Sequence, residues 1–322
     1  MAQISESDIG KRVTIRLKAG TGYRDIVGQL LTTTTLRNRH GQVLEFDPTE
    51  IHIWREIIEQ PRGAKSGAPL SLRIAQLERV LTLTWQPQEL SETAGYLLRS
   101  DSGTTRRANS ALAINQKLAL QDQSIVQLID WYRERAKTPT VLLIPRIQQE
   151  LVEQLSRAGF SDGLSLLVMV KDLKPNPDNE ALGFTNHLDT KLSSSTLPTS
   201  EWLEVHDDQR NLELLNRGEA MYLTLRSGEA LSAIGRIAFA EDWAVLSRIW
   251  VDPKVRGKSL GRQMVKSLEA IAATKLNKLA LQVNVENQSA ISLYKSLGYE
   301  VHHEALFKEL LPQRDLTPTA SH

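Results

Sequence analysis

Residues 249–261 read IWVDPKVRGKSLG, and the order of their residue types predicts a strand, a loop and the start of a helix. Their apolar start, rich in β-branched and aromatic residues, predicts a buried strand. The strand is predicted to end at Asp252-Pro253, because proline cannot donate to a strand ladder. From Ser259 onward apolar residues recur at helical spacing, so a helix is predicted to begin at the glycines.

The loop between this strand and this helix has the composition of an anion site. A strand, a glycine-bearing loop and a helix start together direct free backbone N–H groups and the positive end of a helix dipole at a ligand. Gly257 and Gly261 allow close approach to the main chain, and Arg256 and Lys258 add positive charge. The stretch predicts a pyrophosphate site; the alternative is a tight turn whose glycines only relieve strain.

A second strand and a short helix follow in the sequence. Apolar and polar residues alternate over 279–285, which is typical of a strand with one packed face. Asn287 fits a helix N-cap, and Gly298 fits the left-handed position after a helix end. Tyr294 lies on the apolar stripe of the helix between them, so its simplest interpretation is core packing.

The segments RGKSLG at 256–261 and NQSAISLYKSLGY at 287–299 resemble the two cofactor motifs of the GNAT superfamily of acyl-CoA-dependent N-acetyltransferases. In that family the first motif, Q/R-x-x-G-x-G/A, holds the CoA pyrophosphate. The second, N-x-x-A-x-x-L-Y-x-x-x-G-F/Y, flanks the pantetheine and the thioester. The resemblance implies an α/β (α+β) GNAT fold, with acetyl-CoA as cosubstrate and no metal. The cofactor-binding residues that it implies are Ile249, Val251, Arg256, Gly257, Lys258, Ser259, Leu260, Gly261, Asn287 and Tyr294.

Two positions of these motifs bear on the chemistry. Ser259 stands where the family's first motif has glycine, so its side chain either crowds a phosphate or donates a hydrogen bond to it. Tyr294 has an ordinary pKa of ~10 and is protonated at neutral pH. The resemblance therefore favours Tyr294 as the general acid for the leaving thiolate over core packing alone.

The sequence offers several candidates for the general base. Glu241 and Asp242 precede the strand predicted to run beside the thioester, and Glu286 follows the next strand. Each of these three would reach a water near the acceptor nitrogen or be an ordinary surface carboxylate. His302 and His303 are neighbours on a predicted strand, so they are expected to face opposite ways, with at most one in the cleft.

Composition limits the classes of protein that this chain can belong to. Its 322 residues are 41% hydrophobic and 24% charged, which predicts two or three compact units. Lys plus Arg at 39 against Asp plus Glu at 38 gives a net charge of +1, so binding to nucleic acid or to a membrane is not expected. The chain has no cysteine, which excludes disulfides, thiolate nucleophiles and cysteine-ligated zinc. With no leader or spanning segment in the sequence, we expect a cytoplasmic protein.

The sequence repeats itself at an offset of 139 residues, which pairs Gly159 with Gly298 and Phe160 with Tyr299. The match predicts two copies of one α/β unit; the alternative is chance similarity between amphipathic segments. The first copy lacks the phosphate loop and the candidate acid. Residues 104–110 are predicted to form a strand with Arg107 and Asn109 on one face. That face is either a lid over the acceptor, which makes both residues substrate-binding, or a solvent-exposed edge.

The predicted domain organisation follows from these patterns. The tandem arrangement with a small leading barrel resembles an actinobacterial-type GNAT subfamily. Val13, Ile15 and Leu17 alternate with polar residues, which indicates a small Src-homology-like β-barrel at the start. The predicted units are the barrel at 1–58, a linker at 59–71, a degenerate GNAT-like half at 72–172, a polar connection at 173–200, a GNAT acetyltransferase domain at 201–311 and a flexible tail at 312–322.

Three functions are compatible with these features. The first is acetyl transfer from acetyl-CoA to a small-molecule or protein amine, by direct attack within a ternary complex. The second is a catalytically weak CoA-binding sensor or adaptor whose barrel contacts a macromolecule. The third, nucleic-acid binding through the barrel, is disfavoured because acidic residues dilute its basic ones. Docking of the barrel within the chain or onto a second subunit, in a homo-oligomer, is preferred to it.

Overall fold

The structure, a computed structural model, describes residues 4–20, 22–38, 41–56, 69–174, 190–206 and 208–311. The chain divides into two compact units, residues 1–62 and residues 63–322. Most of the predicted linker 59–71, the centre of the predicted connection 173–200 and all of the predicted tail 312–322 lie outside the described residues. Within the described ranges, every helix falls short of the length and hydrophobicity that crossing a bilayer requires.

The first unit is an antiparallel sheet of five strands. They are β1 (Arg12–Ala19), β2 (Gly22–Leu30), β3 (Thr35–Arg37), β4 (Val43–Glu45) and β5 (Ile51–Glu56), in the spatial order β4-β3-β2-β1-β5. Val13, Ile15 and Leu17 are fully buried, so the predicted alternation in β1 is confirmed. In the described strands β4 and β5 are the two edges, and no pairing between them closes the sheet. The barrel therefore stays a prediction.

The second unit combines eight helices with eleven strands in its described part. Its first half consists of α1 (Leu70–Leu83), β6 (Glu89–Thr93), β7 (Tyr96–Ser100), β8 (Ala111–Ala113), α2 (Gln116–Ala119), α3 (Asp122–Arg133), β9 (Thr140–Leu143), α4 (Pro145–Arg157) and β10 (Ser161–Asp172). Its second half consists of β11 (Thr190–Ser195), α5 (Ser200–Glu204), α6 (Leu212–Leu215), β12 (Glu219–Ser227), β13 (Ala230–Ala240), β14 (Trp243–Val251), α7 (Leu260–Ala273), β15 (Lys278–Asn284), α8 (Gln288–Ser296) and β16 (Glu300–Glu309).

The two halves share one sheet, in the order β11-β12-β13-β14-β15-β10-β16-β9-β8-β7-β6. An offset of 139 residues places β9, α4 and β10 on β15, α8 and β16, as the sequence repeat predicts. Each half ends on a strand that pairs with the other half. β10 pairs with β15, and β16 pairs with both β10 and β9. The fold is a mixed α/β architecture, as predicted, in which the halves exchange their last strands.

Helices cover both faces of this sheet. On one face α7 packs Met264 and Leu268 into a cluster with Ile237 and Leu281. On the other face α1 reaches both halves. Its Ile74 shares a cluster with strands of the first half and with β16, while its Leu77 and Leu81 pack on β10, β14 and β15. α1 therefore joins the cores of the two halves.

One predicted element is absent from the structure. Residues 104–110, predicted as a strand, form a turn between β7 and β8. Asn109 explains the difference, because its side chain satisfies backbone groups within the same loop. Its Nδ2 donates to the carbonyls of Gly103 and Thr105, at 3.0 and 3.1 Å, and its Oδ1 accepts from the Asp101 N–H at 3.0 Å. Side-chain bonds of this kind compete with a strand ladder for the backbone.

The exchanged strand yields a prediction about stability. Phe307 on β16 is 1% exposed and lies in the cluster that joins α1 to both halves. We expect Phe307→Ala to lower the free energy of unfolding by about 3–5 kcal/mol, because a large buried side chain is replaced by a cavity. Urea unfolding, followed by circular dichroism and by tryptophan fluorescence, measures the change.

Val301 on the same strand is 38% exposed, so Val301→Ala serves as the control and is expected to cost less than about 1 kcal/mol. Because β16 is shared, the two halves are expected to unfold together. Two separate transitions for residues 63–322, or a Phe307→Ala loss as small as that of the control, would contradict the shared core.

Candidate active site

Strands β14 and β15 pair only along their first halves. They run parallel from Trp243 opposite Lys278 to Leu246 opposite Leu281, and then part. The register of β14 on β13 shifts between Ile234 and Arg236, and Arg248 has a φ of 53°. A bulge of this kind bends the strand that carries it. Beyond Leu246, β14 no longer pairs with β15, so a gap opens in the middle of the sheet.

A cavity of about 660 Å³ lies at the open end of this gap. That volume is within the range of small-molecule sites. The lining residues are His206, Ile249, Trp250, Val251, Arg256, Gly257, Ser259, Leu260, Gly261, Arg262, Asn287, Ser289, Ala290, Leu293 and Tyr294. Of the predicted cofactor-binding residues, Lys258 alone is outside this lining. The structure thus brings the two sequence motifs together around one space.

The start of α7 forms one wall of the cavity. Ser259 is the N-cap residue, but its side chain makes no capping bond, and the first turn closes with the Gln263 N–H on the Ser259 carbonyl at 3.0 Å. The backbone N–H groups of residues 260–262 are therefore left without partners inside the helix. Because these N–H groups and the helix dipole favour negative charge, this wall fits a phosphate group.

Packing around Gly261 leaves little room for a side chain. A Cβ there would lie 3.3 Å from Leu293 Cδ2 and 3.5 Å from Val251 Cγ2. The absence of a side chain lets β14, α7 and α8 approach one another at the cavity floor.

Tyr294 lies in the wall that α8 forms. Asn287 caps this helix by accepting the Ala290 N–H at 3.1 Å, so the N-cap interpretation of the sequence is confirmed. The Tyr294 side chain is 7% exposed and packs edge-on against Tyr299, with ring centroids 5.8 Å apart. Burial raises the pKa of Tyr294 to about 12. Tyr294 lines the cavity, and within the described part of the chain its hydroxyl has no hydrogen-bond partner, so its proton is not engaged elsewhere.

Glu241 and Asp242, the sequence candidates for the base, lie elsewhere. Both are in the turn before β14, whereas the cavity is at the end of that nine-residue strand. At the usual rise per residue the separation is about 25 Å. Glu241 binds Arg79 at 3.1 Å, and Asp242 forms an ion pair with Lys278. Their positions argue against a role in proton transfer, and the exposed Glu286 is also outside the cavity lining.

His206 is a cavity residue that the sequence did not single out. It follows α5, and its Nε2 atom is buried without a hydrogen-bond partner in the described residues. Burial and the positive charge of Arg248 lower the pKa of His206, so its imidazole is held towards the neutral form. A neutral imidazole nitrogen without a partner can accept a proton. No local motif marks His206, because only the fold brings it to the cavity.

Arg107 and Asn109, the predicted substrate-binding residues, have different environments. Asn109 holds its own loop together, as described above, which argues against a role in binding substrate. Arg107 instead reaches the second half, where its Nε donates to Gln282 Oε1 at 2.7 Å. Gln282 is the first residue of β15 beyond the last pair with β14. The Arg107 side chain therefore lies beside the point where the two strands part.

A line of polar side chains, here called the polar row, crosses the sheet beside this gap. Directly paired residues on neighbouring strands share a face, and the register passes from Tyr222 through Arg236 to Ser247, and from Gln282 through Val168 to His303. The row consists of Tyr222, Arg236, Ser247, Gln282 and His303. It lies on the α1 side of the sheet, because Arg236 donates to the Thr84 carbonyl at 2.8 Å and His303 bonds Glu78 at 2.8 Å.

The orientation expected for the two histidines is wrong. A register shift on β16 places Val168 opposite His303 and Met169 opposite Val301, so His302 is an extra residue in the strand. This bulge turns both rings towards each other, with the two Nδ1 atoms 2.8 Å apart. Both side chains are buried beside Glu78, and neither lines the cavity.

Comparison with known proteins agrees with this geometry. The model of the family described as "Probable histone acetyltransferase Rv0428c C-terminal" matches residues 72–307. The "Uncharacterized N-acetyltransferase YobR" of Bacillus subtilis (strain 168) is 22% identical over 236 residues, which cover 70% of this chain and 94% of the relative. The ribosomal protein bS18-alanine N-acetyltransferase of Salmonella typhimurium is 32% identical over 107 residues, which cover 33% of this chain and 67% of that enzyme.

Solved structures show a similar fold. A GCN5-related N-acetyltransferase from Kribbella flavida superposes with a TM-score of 0.53 at 12% identity, covering 73% of this chain and 94% of the other. A protein of unknown function from Staphylococcus epidermidis superposes with a TM-score of 0.51 at 13% identity, covering 70% and 94% of the two chains. At this level of identity the likeness concerns the fold alone.

The conformation of Ser259 yields a second prediction. Its φ of 62° is left-handed, a conformation that costs a residue with a side chain about 1–2 kcal/mol and that glycine adopts freely. We therefore expect Ser259→Gly to raise the free energy of unfolding by about 1 kcal/mol, measured by urea titration. Ser259→Ala, which keeps the Cβ but removes the hydroxyl, is the control and is expected to change little. Destabilisation by Ser259→Gly would show that the hydroxyl stabilises the loop in a way that the structure does not reveal.

Proposed function

Because the chain belongs to the GNAT superfamily, in the family whose model matches residues 72–307, we propose that it transfers an acetyl group from acetyl-CoA directly to an amine. The single observation that carries this proposal is the cavity at the gap between β14 and β15. It joins the uncapped start of α7 to a wall that contains the Tyr294 hydroxyl. One end is suited to an anion and the other to proton transfer.

Different residues of the cavity would bind different parts of acetyl-CoA. The N–H groups of residues 260–262 and the Arg256 guanidinium would hold the diphosphate of the cosubstrate, since both are donors for oxyanions. Ile249 and Val251 lie along the gap, where backbone groups of β14 would bond an extended chain in place of β15. When bound, acetyl-CoA supplies a thioester whose carbonyl carbon an amine can attack.

Two side chains would move the protons of the reaction. An amine resembling that of lysine has a pKa near ~10.4, so most of it arrives protonated at pH 7. The neutral fraction, which has released one proton to solvent, would attack the thioester, and His206 Nε2 would take the second proton from the nitrogen, either directly or through a water. As the new C–N bond forms and the C–S bond breaks, Tyr294 would donate its hydroxyl proton to the thiolate. The pKa directions keep His206 neutral and Tyr294 protonated at neutral pH, which are the forms that these two roles require.

The known relatives do not point to a single class of amine acceptor. The family is described as a probable histone acetyltransferase and one relative is named for an alanine of a ribosomal protein, so protein amines are reasonable first acceptors to test, alongside small amines. The alternative function, a CoA-binding sensor, predicts acetyl-CoA binding without release of CoA. Calorimetry with acetyl-CoA, followed by an assay for free CoA thiol, separates the two. The absence of cysteine means that the protein contributes no thiol background.

Tyr294 provides the third prediction. We expect Tyr294→Phe to lower kcat about 100-fold or more, because a general acid contributes a factor of that size. Tyr299→Phe is the matched control, since Tyr299 is a buried tyrosine next to Tyr294 that does not line the cavity. Steady-state release of CoA thiol measures both variants. Equal turnover of Tyr294→Phe and wild type would remove Tyr294 from the acid role.

The pH dependence provides the fourth prediction. His206 must be neutral to accept a proton, and its pKa is lowered from the ordinary value by burial and by Arg248. Wild-type kcat/KM, expressed for the neutral fraction of the amine at each pH, should therefore hold through neutral pH and fall only as the pH drops below that lowered pKa. His206→Gln should reduce kcat/KM and abolish this acid-side fall. Glu286→Gln, which removes an exposed carboxylate outside the cavity, should keep the wild-type profile. An acid-side fall that persists in His206→Gln would assign the base elsewhere.

A further inference from the structure

The turn that carries Arg107 is fixed in place. Asn211 Oδ1 accepts the N–H of Thr104 at 2.9 Å and of Thr105 at 3.3 Å, which ties this turn of the first half to the segment before α6 in the second. Asn109 closes the same turn from inside. Arg107 is therefore held beside the point where β14 and β15 part before any ligand arrives, and such preorganisation lowers the entropic cost of binding.

The charges around Arg107 are unbalanced. Trp85 is surrounded by three guanidinium groups, whose Cζ atoms lie 4.6, 5.3 and 5.7 Å from its ring centroid, for Arg236, Arg248 and Arg107 in that order. Two of the three are satisfied. Arg248 binds Asp208 at 2.6 Å, and Arg236 is buried and donates to Thr84, Tyr222 and Ser247.

Arg107 has neither the carboxylate partner of Arg248 nor the three acceptors of Arg236. Its one side-chain partner in the described chain is the neutral amide oxygen of Gln282, and no carboxylate in those ranges lies within 4 Å of it. The nearest acidic groups on the elements packed here are already bonded, Asp208 to Arg248 and Glu78 to His303. Burial and the charges of Arg248 and Arg236 lower the pKa of Arg107 to about 10, so a cation is held here against repulsion. A bound anion would relieve it.

We propose that the amine acceptor carries a carboxylate, and that Arg107 of the first half binds it beside the point where β14 and β15 part, while the amine reaches the cavity between His206 and Tyr294. This inference rests on the proposed acetyl transfer and names the class of its acceptor. One uncompensated guanidinium fits one negative charge, and its planar fork matches the two oxygens of a carboxylate. The degenerate half would then be a specificity element.

The test compares acids with their amides. The probes are glycine, β-alanine and 4-aminobutyrate, each paired with its primary amide, and the readout is kcat/KM from CoA thiol release. We expect at least one acid to exceed its amide, and Arg107→Gln to lower that acid-to-amide ratio about 10- to 100-fold, as loss of a charged hydrogen bond does. The ratio between variants cancels differences in the intrinsic reactivity of the amines.

Arg106→Gln is the matched control, because the Arg106 side chain belongs to the same turn but binds Glu309. It should keep the wild-type ratio. Arg107→Lys should retain part of the preference, since the charge remains and the fork is lost. Acetyl-CoA affinity, measured by calorimetry, should be the same in all three variants and shows that each is folded.

A second measurement keeps the outcome clear if none of these amines is turned over. The N-acetylated acids and N-acetylated amides are titrated into the CoA-loaded protein. The inference is supported if only the acids bind to the wild type and this binding is lost in Arg107→Gln. Equal behaviour of acids and amides in both measurements overturns it, while acetyl-CoA binding and turnover of another amine leave the proposed function intact. Failure to bind acetyl-CoA at all would instead overturn the proposed function.

Discussion

The parting of β14 and β15 after Leu246 and Leu281 is the constraint on which the rest of the second unit depends. Two parallel strands would normally continue to satisfy each other's backbone groups, and the bulge at Arg248 prevents this. The gap leaves β14 free to bond a ligand on one side and places the start of α7 at its end. A local change of backbone in one strand thus creates the cavity, and the helices around it only shape its walls.

The exchange of last strands explains why a half without a phosphate loop is retained. β10 supplies the partner that β15 needs, and β16 does the same for β9. Because the second half completes its sheet with a strand of the first, the first half cannot be lost without exposing an edge. The same arrangement brings the turn that carries Arg107 to the gap. The first half, which the second half needs to complete its sheet, thus also supplies a side chain that could bind the acceptor.

The polar row shows how charge is tolerated at the centre of the sheet. Arg236 is 1% exposed, but it donates to a carbonyl and two hydroxyls and stacks over Trp85. His303 is similarly bonded to Glu78 of α1. Buried charge of this kind is costly unless it is fully bonded. Neither Arg236 nor Arg107 has a carboxylate partner in the described chain, but Arg236 donates to three acceptors and Arg107 to one, the Gln282 amide oxygen, so the Arg107 guanidinium keeps donors available for a ligand.

Features that depend only on neighbours along the chain could be predicted from the sequence. The strand, loop and helix of 249–273, the Asn287 cap and the repeat at 139 residues all follow from local spacing, because helix and strand periods and cap chemistry are short-range. The positions of the other candidate site residues depend on the tertiary structure. Glu241 and Asp242 are next to the right strand but at its wrong end, and two bulges, at Arg248 and His302, reset which face a side chain takes. His206 and Arg107 reach the site from distant segments, since a contact between such segments depends on the packing of the whole sheet and leaves no periodic trace in the sequence.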